Sequence, residues 1–265
     1  MKRIPRKDRY FMNHDIQRAS LLKRISAYIF DSIILLIVAV GVAFLLSTVL
    51  KYDETVASRE VLRSSYESEY GVTFDIANED FQKLTEEEQK RYNDAYAAYA
   101  NDPEVNRTGV QIINKVIIIT VFSVLTSSVI FELLIPLKLG DGRTLGKKIF
   151  GIGVMRVDGV RISAFQLFVR AILGKYTCET MIPAFLILLL LLNIMPLACI
   201  LGIALILMVQ LATTMFSYLH TSIHDLISGT VTVDFASQRI FESTEKMLEY
   251  KKKLHAEAAD RAEYK

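Results

Sequence analysis

The chain has 265 residues, and its 31 Lys and Arg against 29 Asp and Glu give a formal net charge of +2. This near-neutral balance excludes an extended polyanion such as nucleic acid as the expected partner. Hydrophobic residues make up 52% of the chain although 23% of its residues are charged, which predicts that the two populations are segregated, as in membrane proteins. Cys178 and Cys199 both lie in or beside apolar runs, which excludes a disulfide scaffold and a four-cysteine zinc site.

A basic N-terminus, residues 1–24, is followed by a predicted transmembrane helix over residues 25–50. These 26 residues contain one charged side chain, Asp31, and at about 1.5 Å of rise per residue they cross a hydrocarbon core of roughly 30 Å. The alternative interpretation is a signal peptide, in which a basic segment also precedes an apolar one. The apolar run is longer than that of a signal peptide and no small-residue cleavage motif follows it, so we predict an uncleaved anchor.

Residues 51–109 form a hydrophilic insertion with 7 Lys and Arg against 14 Asp and Glu. The pattern Thr85-x-x-Glu88 is a capping box, which predicts the start of a helix. Tyrosines then recur at helical spacing, at Tyr92, Tyr96 and Tyr99. We interpret this stripe as the packing core of a small helical unit, because an aromatic stripe is more often a core than a binding surface.

Three further spans are predicted, over residues 110–137, 177–194 and 196–219. The first of them carries Lys115 near its beginning and Glu132 near its end. The other two come from residues 181–219, which contain no charged side chain and are interrupted at residues 193–196 by a segment that ends in Pro196. A helical hairpin explains this break, since proline removes a backbone donor. A single kinked helix is the alternative, because spans tolerate proline.

The segment between the second and third spans, residues 138–176, is basic and predicted to be cytosolic. Residues 152–157 alternate as a strand, Asp158-Gly159 is a hairpin signal, and residues 160–162 form the return strand. The pattern Ser163-x-x-Gln166 then begins an amphipathic helix that we expect to lie on the inner leaflet. Residues 220–265 are predicted to contain a further strand, over residues 230–233, and a charged helix.

Charge asymmetry predicts the orientation of the chain. Residues 1–24 and 138–175 each hold eight Lys and Arg, and short cytoplasmic segments retain positive charge. The acidic insertion is then extracytoplasmic and both termini are cytoplasmic. The predicted fold is an all-α multispan membrane protein of about four transmembrane helices, with a small helical extracytoplasmic insertion and a short cytosolic β-hairpin element.

Two carboxylates within the predicted spans are candidate functional groups, because a charged side chain in hydrocarbon costs about 2.5 to 3.5 kcal/mol on insertion scales. Asp31 lies two helical turns after Arg24, on the same face. Glu132 reaches a similar depth in its own span. If the two carboxylates face each other, burial and like-charge repulsion favour a site that exchanges a proton for a cation. Alternatively, Arg24 neutralises Asp31, and Glu132 extends to the headgroups.

The end of the fourth predicted span places His220 and His224 at i, i+4 with Asp225 beside them. This spacing suits a metal ion, but no second motif supplies further ligands, so we predict no metal site and no cofactor. The glycine-rich stretch at residues 140–148 lacks the spacing of a phosphate-binding loop. No set of catalytic residues is present in the sequence, and we expect a protein that is not an enzyme.

Three short segments, in this order and spacing, carry a resemblance to a known family: LKRISAYIFD at residues 22–31, GRTLGKKIFG at residues 142–151 and HDLISGT at residues 224–230. Together with Asp158-Gly159 and Arg170-Ala171 they resemble the RDD family of bacterial integral membrane proteins. The arginine and the two aspartates that name the family fall on Arg24, Asp31 and Asp225. The resemblance covers about residues 20–235 and does not extend to the acidic insertion or the charged C-terminal extension.

The resemblance implies a small multi-pass protein of the bacterial plasma membrane with a role in transport, including sodium/proton exchange. Our first hypothesis is therefore a cation/proton antiporter that binds Na⁺ or H⁺ and works as a homo-oligomer or with a membrane partner protein. Its candidate residues are Arg24, Asp31, Glu132, Arg170, His224 and Asp225. The second hypothesis is a non-transporting scaffold that binds anionic lipid or a partner protein through Lys147, Lys148 and Arg156.

Overall fold

The computed structural model describes residues 16–216 and 221–263, and helices dominate this part of the chain. Four of the described helices are long and apolar enough to cross a membrane. They are span 1, Leu21–Val49; span 2, Pro103–Leu139; span 3, Ala164–Leu191; and span 4, Pro196–Phe216. The prediction of an all-α multispan membrane protein is confirmed.

Spans 2 and 3 each contain a π-helical segment between two α-helical segments. Span 2 consists of α5 (Pro103–Ser128), π1 (Val129–Leu134) and α6 (Ile135–Leu139). Span 3 consists of α8 (Ala164–Phe168), π2 (Val169–Met181) and α9 (Ile182–Leu191). Spans 1 and 4 are the single helices α1 and α10. A π-helix has i→i+5 hydrogen bonds, which change the face on which each side chain lies.

A tight turn separates spans 3 and 4. Span 3 ends at Leu191 and span 4 begins at Pro196. The turn requires left-handed backbone at two non-glycine residues, Asn193 (φ 57°) and Met195 (φ 48°). The helical hairpin predicted over this region is therefore confirmed, and the single kinked helix is wrong.

Span 3 begins earlier than the sequence predicted. The capping box at Ser163 and Gln166 is present, and the helix that it starts continues as one rod to Leu191. The expected separation into an amphipathic helix and a span beginning at residue 177 is therefore not seen. The physical reason is that the polar side of this segment packs against protein, with the Arg170 side chain only 4% exposed.

The chain divides into two compact units, residues 1–38 with 124–265, and residues 39–123. We name them the core unit and the insertion unit. In the core unit, β1 (Ile152–Arg156) pairs antiparallel with β2 (Thr230–Asp234), with Val154 opposite Thr232. The first four residues of each strand are buried.

The predicted hairpin partner of β1 is much reduced. Residues 160–162 form only single bridges, Met155 with Arg161 and Val160 with Phe241. The backbone of this segment is shared between two neighbours, because the Arg156 amide donates to the Val160 carbonyl while the Arg161 amide donates to the Phe241 carbonyl. The strand predicted at residues 230–233 is instead the main partner of β1.

Three short or solvent-facing helices complete the core unit: α7 (Leu145–Ile149), α11 (Ile223–Ser228) and α12 (Thr244–Glu263). The side chain of Thr144 caps the first turn of α7 by accepting from the Lys147 amide. Gly229 ends α11 in the left-handed conformation (φ 65°), which glycine adopts at no steric cost. The chain then enters β2 directly.

The insertion unit contains α2 (Tyr52–Tyr70), α3 (Asn78–Phe81) and α4 (Glu86–Asn101). The predicted capping box at the start of α4 is present, with Thr85 and Glu88 each bonding the other's backbone amide. The tyrosines of α4 pack around Phe74, at ring-centroid distances of 5.8 Å for Tyr92 and 5.3 Å for Tyr99. Lys115 is accounted for here, because its ammonium donates to the Lys51 carbonyl and to the Thr55 hydroxyl.

Candidate functional site

The core unit contains a cavity of about 440 Å³. Apolar side chains such as Ile25 of span 1 and Leu207 of span 4 form part of its wall. The charged or titratable residues in the wall are Arg24, Tyr28, Asp31, Lys147, Arg170, Lys175, Glu179, His224 and Asp225. A partly apolar cavity with convergent ionisable groups has the composition of a ligand site.

Asp31 of span 1 is held against the start of α7. Asp31 is only 8% exposed. Its carboxylate accepts hydrogen bonds from the Thr144 hydroxyl at 2.5 Å and from the Gly146 amide at 2.7 Å. Gly146 permits this approach, since a Cβ there would lie 2.5 Å from the Ala27 carbonyl oxygen. Arg24 lines the same cavity, but these two bonds come from Thr144, which caps α7, and from Gly146 in its first turn.

Asp225 of α11 is fully buried and receives four hydrogen bonds. Arg170 of span 3 donates its Nε–H at 2.8 Å. The hydroxyls of Thr230, Thr232 and Ser222 donate at 2.8, 3.0 and 3.2 Å. Thr230 and Thr232 reach the same carboxylate because alternate residues of a strand share a face. Burial opposes the charged form of Asp225, but the charge of Arg170 and these hydrogen bonds outweigh it and lower the pKa of this carboxyl.

His224 connects this ion pair to Glu179. Its Nε2 lies 3.0 Å from Nη2 of Arg170, and its Nδ1 lies 2.9 Å from a carboxylate oxygen of Glu179. Arginine only donates, so Nε2 accepts and Nδ1 carries the proton that is donated to Glu179. This assigns a neutral imidazole, and burial together with the charge of Arg170 lowers the pKa of His224 despite the opposing effect of Asp225 and Glu179.

The sequence model of the RDD family matches residues 18–229, which is most of the chain. The chain belongs to the RDD family. The match begins before span 1, ends at Gly229, and includes the cavity-lining residues of spans 1, 3 and 4. No curated protein and no solved structure matches the chain.

The residues assigned to the family's arginine and two aspartates line one cavity. Arg24 and Asp31 reach it from span 1, and Asp225 reaches it from α11. The charge of Arg24 interacts with that of Asp225. Two further candidate residues lie beside them. Arg170 donates a hydrogen bond to Asp225, and His224 is hydrogen-bonded to Arg170. The cavity thus brings together five of the six residues that the sequence nominated for transport.

Glu132, the sixth nominated residue, has a different environment. It lies in π1, is 3% exposed, and forms an ion pair with Lys175 of π2. Lys175 lines the cavity, whereas Glu132 is not one of its lining residues. Asp31 and Glu132 therefore have separate bonding partners, and the direct pairing of two carboxylates that the sequence allowed is not formed.

Sequence reasoning missed Lys175, Glu179 and Thr144. Nine residues separate Arg170 from Glu179, which is about two and a half turns of an α-helix and would place them on opposite faces. In the structure both contact His224, because the wider turn of π2 changes the periodicity. The available signal was the spacing of five residues between Arg170 and Lys175. This spacing places two side chains near one face of a π-helix, but on different faces of an α-helix.

The three residues predicted to bind lipid or a partner are divided between different environments. Lys147 is partly buried and lines the cavity. Lys148 is exposed. Arg156 forms an ion pair with Asp158 at 2.7 Å. They do not form one continuous basic surface.

The paired-histidine hypothesis depends on His220, which lies outside the described residues. Across residues 16–216 and 221–263, no group of three or more His, Cys, Asp or Glu side chains is placed to hold a metal ion. His224 is engaged by Arg170, Ser222 and Glu179 instead. His224 therefore takes part in the hydrogen-bond network formed with Arg170, Ser222 and Glu179.

Proposed function

We propose that this RDD-family chain exchanges a monovalent cation such as Na⁺ for H⁺, and that Asp31 is the carboxylate that binds the cation. The observation that carries the proposal is the bonding of Asp31 in the cavity wall. Its carboxylate is buried and accepts hydrogen bonds from two donors that are both uncharged, Thr144 and Gly146. A buried carboxylate with neutral donors retains a charge that a cation or a proton can neutralise.

The other buried carboxylates support this choice, because each is already engaged by a basic side chain. Asp225 pairs with Arg170 at 2.8 Å, Glu132 pairs with Lys175, and Glu179 bonds His224. These contacts join span 2, span 3 and α11 into a framework around the cavity. We assign them a structural role and reserve exchange for Asp31.

A scaffold that binds anionic lipid through its basic cytosolic segment has less support. Of its three nominated residues, only Lys148 is exposed, and Lys147 faces the cavity. A headgroup-binding surface requires several adjacent cations accessible from one side. Transport is therefore the function that the geometry favours.

Asp31→Asn should abolish cation-dependent proton movement. We expect native protein in proteoliposomes with an imposed pH gradient to dissipate the gradient on addition of Na⁺, K⁺ or Li⁺. The rate measured for the variant should be at least about tenfold lower, equivalent to about 1.4 kcal/mol, because the asparagine amide retains the shape of the carboxylate but not its charge. A pH-sensitive dye trapped in the vesicles measures the rate.

The matched control is Asp53→Asn, which removes an exposed carboxylate in the insertion unit. It should leave the rate unchanged. Native activity in the Asp31→Asn protein would contradict the role of Asp31, and absence of any cation response from native protein would contradict exchange itself.

We also propose that both termini lie on the cytoplasmic side of the bacterial cell membrane and that the insertion is outside. The support is the excess of Lys and Arg in residues 1–24 and 138–175 and the acidic character of residues 51–109. In a chain whose native cysteines are replaced, Ser65→Cys should react with a membrane-impermeant maleimide in intact cells. Glu249→Cys should react only after permeabilisation, and the reverse order would contradict this orientation.

A further inference from the structure

The buried charges around the cavity balance when every acidic and basic group is ionised and His224 is neutral. The positive groups are Arg24, Lys147, Arg170 and Lys175, and the negative groups are Asp31, Glu132, Glu179 and Asp225. A net charge inside a protein is costly, whereas a balanced set is tolerated when it is hydrogen-bonded. Loss of one proton from this set therefore creates a negative charge that a monovalent cation can offset.

Lys147 is the member of the set best placed to lose that proton. Arg170 and Lys175 are fixed in ion pairs with Asp225 and Glu132, and arginine keeps its proton in proteins. Lys147 lines the cavity, but within residues 16–216 and 221–263 its ammonium has neither a hydrogen-bond acceptor nor an ion-pair partner. An ammonium without an acceptor gains little from staying charged.

Lys147 and Asp31 are also linked through α7. Asp31 accepts from the amide of Gly146, the residue that precedes Lys147 in α7. Thr144 bonds Asp31 through its hydroxyl and also accepts the Lys147 amide at 3.5 Å. A cation that binds Asp31 therefore lies at the same wall of the cavity as the Lys147 side chain.

We propose that Lys147 carries the proton that is exchanged for the cation at Asp31. This inference rests on the proposed exchange function. In one direction, the Lys147 ammonium gives a proton to water and becomes a neutral amine, and a cation binds the Asp31 carboxylate. In the other direction, protonation of Lys147 restores the positive charge and the cation leaves. The net charge of the cavity is the same in both states, so the exchange is one proton for one monovalent cation.

The groups that face Lys147 set the pH at which this happens. Burial, first, and the charges of Arg170 and Lys175 lower its pKa to about 8, while Glu132 and Asp31 act in the opposite direction. The remaining ionisable groups around the cavity are Arg24 and Tyr28 from span 1, Glu179 from span 3, and His224 and Asp225 from α11. Lys147 is therefore protonated below about pH 8 and increasingly neutral above it, so exchange should rise as the pH increases through this value.

The test compares pH profiles of exchange for native protein, Lys147→Arg, Lys147→Met and the neighbouring control Lys148→Met. Lys148 is exposed, so its variant should keep the native profile. Lys147→Arg should lose exchange at every pH, because the guanidinium remains charged. Lys147→Met should bind Na⁺ at pH 6 as well as at pH 9, with no release of protons, because the side chain that is proposed to carry the exchanged proton is absent.

Three outcomes distinguish this inference from the proposed function. If native protein shows no exchange at any pH, the proposed function and the inference both fail. If native protein exchanges and the two Lys147 variants keep its pH profile, only the inference is overturned. If Lys147→Met loses Na⁺ binding while remaining folded, as judged by its melting temperature, Lys147 supports the site in another way and the inference is also overturned.

Discussion

Asp225→Ala should destabilise the core unit by roughly 3–5 kcal/mol, the cost typical of removing one partner of a buried ion pair. The side chain of Asp225 is completely buried, and Arg170, its partner at 2.8 Å, is 4% exposed. The substitution leaves the buried guanidinium without its carboxylate. It also removes the acceptor of the Thr230 and Thr232 hydroxyls.

Thermal unfolding of the detergent-solubilised protein measures this effect. The control is Glu242→Gln, which breaks an ion pair with Lys246 in which both side chains are more than 60% exposed; it should leave the melting temperature unchanged. The double variant Arg170→Met/Asp225→Leu should lose less stability than the sum of the two single variants, since it leaves no unpaired buried charge. Additive losses would show that the two residues do not act as a pair.

Gly174→Ala should be strongly destabilising, because span 3 packs closely on α11 at this position. A Cβ at this position of π2 would lie 2.6 Å from the Cβ of His224 and 2.7 Å from its Cα. Because one of these atoms belongs to the backbone, span 3 and α11 must move apart, at a cost of about 1–3 kcal/mol for overpacking. Movement of α11 also shifts Asp225 and His224, so we expect the variant to lose exchange activity together with stability.

The matched control for this variant is Gly41→Ala, in span 1. A Cβ there would meet no atom within 4 Å, and alanine favours helix over glycine by about 1 kcal/mol. We expect an unchanged or slightly higher melting temperature. Equal effects of the two substitutions, measured under the same detergent conditions, would contradict the close packing of π2 on α11.

The sequence was sufficient to predict the spans because the bilayer imposes a simple requirement. About 20 apolar residues with few charges must form a helix, since no other backbone partner exists in hydrocarbon. The same reasoning predicted the break before Pro196, and local hydrogen-bonding patterns predicted the capping boxes at Thr85 and Ser163. These features depend on residues that are close together in the chain.

The site was predictable only in part, because its contacts join distant segments through a helix of unusual geometry. Charged residues next to apolar runs identified Asp31 and Asp225 as candidates. The pairing of Asp225 with Arg170 spans 55 residues, and no local pattern specifies it. Glu179 was missed because α-helical periodicity places it away from Arg170, whereas π2 places both beside His224. One residue between spans 2 and 3 was also predicted incorrectly. Lys147 was expected to be a surface cation, but it lies in the cavity wall.

Binding of a cation at Asp31 should release a proton from the cavity. The most direct measurement is the release of protons from purified native protein in weakly buffered detergent solution near pH 8 when NaCl is added, with choline chloride as the control for ionic strength. We expect a saturable release of about half a proton per chain with Na⁺, because Lys147, whose pKa is about 8, carries its proton in about half of the chains at this pH. We expect no release with choline and none from Asp31→Asn. Equal release from the native and Asp31→Asn proteins would contradict it.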